Sequence, residues 1–74
     1  MSLRDAMISA LRARYEADIE EADTTINIYL QASVGIGEHP QHLEEIDKQI
    51  DKIAQAKEKI QVLEDFEPNT GTKI

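Results

Sequence analysis

The residues with the most obvious chemical capacity are His39 and His42, set between Glu38 and Glu45 in the stretch VGIGEHPQHLEEI, residues 34–46. On a helix, His42 and Glu45 share a face, and imidazole with carboxylate at that spacing can ligate a divalent metal. A third donor, His39, falls just ahead of the helical pattern, so a complete site would need His39, His42 and Glu45 from two copies of the chain. The expected reading is instead a solvated helix start with no metal, and a metal site at these residues is the alternative. The glycines of GIG stand before a helix start, where backbone N–H groups can hold a phosphate. The stretch lacks a P-loop lysine and the length of a dinucleotide fingerprint, and its own glutamates would repel an anion. Glu20 and Glu21 are adjacent carboxylates, yet they belong to a charged helix face with no pocket to shift their protons toward acid–base work. No serine has a plausible base, and no cysteine exists to act as nucleophile or thiolate ligand. The expectation is a protein that is not an enzyme and carries no catalytic residue and no cofactor.

Composition narrows the partners. The 74 residues carry a net charge of −7. Phosphate recognition runs on clustered Lys and Arg, so direct nucleic-acid binding is not expected. An anionic membrane surface is disfavoured for the same reason. An acidic decoy that mimics nucleic acid fits the charge sign, although interleaved Lys and Arg blur such a field. No apolar run approaches the ~20 residues that span a bilayer. Arg4, Asp5 and Arg12 interrupt the N-terminal segment, which excludes a signal-peptide pattern there. A cytoplasmic location is expected.

Two helices position these residues. From Leu3 to Val34 there is neither proline nor glycine, and Ile8, Leu11, Tyr15, Ile19, Ala22, Ile26 and Leu30 form a stripe at helical spacing with an eleven-residue repeat. TTINIY, residues 24–29, is rich in β-branched residues and admits a strand, but the stripe crosses it unbroken. After Pro40, Leu43, Ile46, Ile50, Ile53, Ala56, Ile60 and Leu63 form a near-heptad seam. Between them Gly35 suits a helix-ending left-handed position, Gly37 lies in the connection, and Pro40 suits the first position of the next helix. The fold class predicted is all-α, an antiparallel helical hairpin of residues 3–34 and 40–66, with 1–66 as the domain and 67–74 as a flexible tail.

Reversing the chain near residue 37 or 38 sets Tyr15 level with Ile60, Ile26 with Ile50 and Leu30 with Ile46. The same register sets Arg12 near Glu64, Glu16 near Lys59, Asp18 near Lys57 and Asp23 near Lys52. Exposed ion pairs contribute only a few tenths of a kcal/mol each, and their value here is in fixing register. The predicted hairpin core is Leu11, Tyr15, Ile19, Ile26, Leu30, Leu43, Ile46, Ile50, Ile53, Ile60 and Leu63.

Two helices cannot cover one another, so a second copy is expected to complete a homodimeric four-helix bundle. A small-residue face on the first helix, Ala6, Ala10, Ala13, Ala17, Ile28 and Ala32, is a candidate interface, as is the open side of the hairpin. Tyr29 falls on the polar side and could anchor a partner.

The corner Val34 to Pro40, followed by the Ile/Leu-seamed helix with Lys and Glu, resembles small two-helix proteins of large tailed phages of marine bacteria, including cyanophages. The resemblance covers roughly the second half of the chain and part of the first helix. It implies a phage origin, hence the host cytoplasm or the virion, and brings no catalytic residues. In that setting the expected role is a virion-assembly accessory or a modulator of a host protein.

Overall fold

The structure, a computed structural model, describes residues 2–32 and 40–67. Helix α1 runs Leu3–Ala32 and helix α2 runs Pro40–Leu63, followed by a 3₁₀ turn, Glu64–Phe66. Gly35, Gly37 and His39 lie outside the described residues, as does the tail beyond Glu67. Pro40 is the first residue of α2, where its missing N–H removes no helical bond.

Local chemistry explains why α1 begins and why it does not break. The Ser2 hydroxyl accepts a hydrogen bond from the Asp5 N–H at 3.0 Å, capping the helix, and Asp5 adds a negative charge to the first turn. The segment 24–29 is helical, so the strand alternative is excluded. Two of its polar side chains return to the backbone one turn earlier: Thr25 Oγ1 donates to the Glu21 carbonyl at 3.0 Å and Asn27 Nδ2 to that of Asp23 at 2.9 Å. These groups, which elsewhere compete with the helix, here bond within it.

The two helices pack antiparallel. Arg4, near the start of α1, donates to the Phe66 carbonyl at 2.9 Å, and Tyr29, near its end, stands against His42 in the first turn of α2. The molecule measures 52 × 23 × 13 Å, a slab two helices wide and one helix thick. Such a layer has two open sides. Among the described residues only Ala22, Ala56 and Leu63 are buried, at 1%, 4% and 7% exposure.

The seam follows strict sevens. On α1 the inward residues Ile8, Tyr15, Ala22 and Tyr29 are each seven apart, and on α2 so are His42, Gln49, Ala56 and Leu63. A seven-residue spacing keeps a side chain on the seam when two helices wind gently around each other. This corrects the eleven-residue stripe at its end. Tyr29 points inward, half-buried, and Leu30, expected in the hairpin core, is 52% exposed. Leu43 and Ile50, also expected in the core, are 73% and 52% exposed. They sit too far around α2 for α1 to reach. Leu11, Tyr15, Ile19, Ile26, Ile46, Ile53 and Ile60 are half-buried, the state a one-layer fold permits.

Candidate interaction surface

On one side of the seam, Glu16, Ile19, Glu20 and Asp23 from α1 and Ile53 and Lys57 from α2 line a shallow groove of about 420 Å³. Helical repetition extends this side toward the turn. Leu30 lies seven residues beyond Asp23, and Ile50 and Leu43 lie seven and fourteen before Lys57. The side therefore changes from charged at mid-length to apolar at the turn end, with Leu30, Leu43 and Ile50 standing above half-buried Ile26 and Ile46. These three aliphatic side chains are each more than half in water, and it is contiguous apolar patches, not scattered residues, that mark interaction sites on soluble proteins.

The opposite side has a different character. Asp18, Glu21, Gln49, Lys52, Gln55 and Lys59 border a polar groove over Ala22 and Ala56. Toward the open end it becomes an apolar groove of about 500 Å³, where Tyr15, Val62, Leu63 and Phe66 meet. The Lys59 ammonium lies 5.6 Å from the Tyr15 ring centroid, a cation–π contact of modest strength at an exposed site.

Charge ties the open end together through Arg12. Its guanidinium donates to both carboxylate oxygens of Glu67, at 2.6 and 3.1 Å, and reaches Glu64 at 3.4 Å and Glu16 at 3.6 Å. The hydrogen bond to Glu67 is the main cause that raises the Arg12 pKa above its ordinary value, with partial desolvation working the other way. The two-oxygen contact matches the planar fork of arginine. Glu67, assigned by its sequence to the tail, is thus part of the folded hairpin. The spacing of Glu64 and Glu67, three residues apart opposite one arginine, was the available signal.

Of the four cross-helix ion pairs expected, Arg12–Glu64 forms. The other three lie at suitable levels but on opposite sides of the seam: Glu16, Asp23 and Lys57 line one groove, Lys59, Lys52 and Asp18 the other. Glu16 instead meets Arg12 on its own helix.

Ala6, Ala10, Ala13, Ala17 and Ala32 are exposed on α1, as is Ile28 at 60%. Tyr29, offered as an outward anchor, faces α2 instead, its ring centroid 5.3 Å from that of His42 and tilted by 58°. Glu45 is half-buried and pairs with Lys48 at 3.4 Å. Among the described residues, no group of three His, Cys, Asp or Glu side chains is placed to hold a metal ion. Glu20 is exposed, and so is Glu21. Among the described residues no helix is long and apolar enough to cross a membrane.

No protein-family model matches the chain, and neither a curated protein nor a solved structure matches it.

Proposed function

We propose that this protein is a non-enzymatic interaction module that works as a homodimer, two hairpins packing into a four-helix bundle that presents its outer faces to a further protein. What supports this reading is the exposure of Leu30, Leu43 and Ile50, which helical repetition from the Asp23–Lys57 groove places on one side of a layer a single helix thick. Fully burying a Leu or Ile side chain stabilises by about 1.5–3 kcal/mol, and roughly half of that remains available at each of these positions. Six such side chains per dimer, joined by half-buried Ile19, Ile26, Ile46 and Ile53 on the same side, are on the scale needed to offset the cost of association, about 4–15 kcal/mol. The charge of −7 per chain opposes pairing, but salt screens it beyond about 8 Å. In the phage setting suggested by the corner Val34 to Pro40, the module would serve virion assembly or act on a host protein, in the host cytoplasm or on the particle.

Sedimentation equilibrium at micromolar concentration tests the dimer. The expected result is a mass twice 8.4 kDa, falling to the single-chain mass in Leu43→Glu/Ile50→Glu with helicity retained. A fully helical wild-type chain that sediments at 8.4 kDa would overturn the proposal.

A further inference from the structure

We infer that the second copy covers the Leu30–Leu43–Ile50 side with its own same side, about a two-fold axis that runs along the hairpin, so that the turn ends lie together and α1 of each copy packs on α2 of the other. This rests on the self-association reading and adds its geometry.

Charge and level along the hairpin select this arrangement. On this side the groove takes from α1 three acids, Glu16, Glu20 and Asp23, and from α2 one base, Lys57. All of them border one groove, within about two helical turns of one another along the hairpin. Among the described residues Lys57, Glu20 and Asp23 have no ion-pair partner in the hairpin. A two-fold axis along the hairpin preserves level and exchanges the helices. It therefore lays each Lys57 over the acids of the other copy. At the turn end the same operation sets Leu30 of one copy over Leu43 and Ile46 of the other, and Ile26 over Ile50. Apolar meets apolar and opposite charges meet.

The other closed arrangement uses an axis across the hairpin. That axis sets α1 on its own copy and α2 on its own copy, with the turn ends pointing apart. With the axis at the level of the groove, Glu16, Glu20 and Asp23 of the two copies would converge and Lys57 would meet Lys57, and with the axis nearer the turn the groove would be left without counterpart charges. Juxtaposed like charges disfavour that packing, and their cost is what selects one symmetry over another.

The chain has no cysteine, so a single introduced thiol can carry a spin label without interference. Two labelled full-length proteins suffice: Gln31→Cys near the turn and Met7→Cys near the open end, both at exposed positions. These positions are 24 residues apart in one helix, about 36 Å at 1.5 Å per residue. With the axis along the hairpin, both label-to-label distances are purely lateral and fall below about 30 Å, the span of a four-helix bundle plus labels. With any axis across it, the two axial separations add to twice the spacing of the labels, so at least one exceeds about 36 Å. Two short distances in pulsed electron resonance are expected, and one long distance in a sample that sediments as a dimer would overturn the geometry alone. A sample that sediments as a monomer would overturn the self-association reading with it. Charge reversal supplies the second readout. Lys57→Glu is expected to weaken the dimer about tenfold at low salt, because it turns an attraction into a repulsion at each of the two symmetry-related positions. Adding Glu20→Lys and Asp23→Lys to it should restore most of the affinity, and failure of that rescue with helicity intact would also overturn the proposal.

Discussion

Val62 and Leu63 are neighbours on the last turn of α2 and should respond differently to truncation. Leu63 is 7% exposed, packed where the open end of the hairpin closes, whereas Val62 is 55% exposed on the rim of the Tyr15 groove. Leu→Ala at buried positions costs about 2–5 kcal/mol, the sum of lost transfer free energy and the void left behind. The groove beside Leu63 is open, so water and Phe66 can partly fill the space, and the lower end, about 2 kcal/mol, is expected. Val62→Ala loses less than half of a valine's burial but gains helix propensity, roughly 0.5 kcal/mol each way, and should be near neutral. In a domain of this size about 2 kcal/mol corresponds to a fall of roughly 8–16 °C in Tm. The assay is thermal and urea unfolding followed by far-ultraviolet circular dichroism, at one fixed protein concentration because association shifts the midpoint. If Leu63→Ala costs no more than Val62→Ala, the seven-residue seam is wrong at its end and the reasoning from it fails.

The same packing sets three further outcomes. Arg12→Lys keeps the charge but cannot bind both oxygens of Glu67, so it should lower Tm, and Glu67→Gln should lower it in the same direction with little added effect in the double variant. Tyr29→Ala and His42→Ala, combined in a double-mutant cycle of unfolding free energies, should show a coupling of about 0.5–1 kcal/mol, and none if Tyr29 faces solvent. Ser2→Ala removes the cap of α1 and should cost about 1 kcal/mol, with loss of amide protection confined to the first turn by hydrogen exchange.

The elements themselves were legible because apolar spacing survives poor local propensity. Ile26 continued the stripe through TTINIY, and tertiary contact outweighed the β-branched bias there. What the spacing could not decide was the difference between seven and eleven residues over so few turns. Leu30 and Tyr29 are adjacent, and hydropathy favours the leucine inside. The seven-residue seam places the tyrosine there instead, its ring centroid 5.3 Å from that of His42. The ion pairs failed for a related reason. A chain-reversal rule fixes which residues stand level but is blind to the side of the seam, so Asp18 was matched with Lys57 although they line different grooves. Only Arg12 and Glu64 satisfied both conditions. Glu67 was missed because turn formers follow it, and only its three-residue spacing from Glu64, opposite Arg12, marks it as returning to the fold. The candidate surface was legible only as surplus: the seam had more large apolar residues than two helices can bury.

That surplus ties the packing of the hairpin to the proposed dimer. The seam is small at mid-length, where Ala22 and Ala56 are buried, aromatic or polar at Tyr15, Tyr29, His42 and Gln49, and aliphatic toward the open end at Ile8 and Leu63. Alanine at mid-length leaves little side chain between the helices, while Leu30, Leu43 and Ile50, on rows turned away from the seam, stay more than half exposed. Larger residues at Ala22 and Ala56, which are 1% and 4% exposed, would overpack that layer, force the helices apart and disturb the surface those rows form. The variant Ala22→Leu/Ala56→Leu should therefore weaken dimerisation even if the single hairpin stays folded. Sedimentation and urea unfolding of the same sample separate the two effects. A double variant that dimerises as well as the parent would show that the exposed rows are not set by the alanine layer.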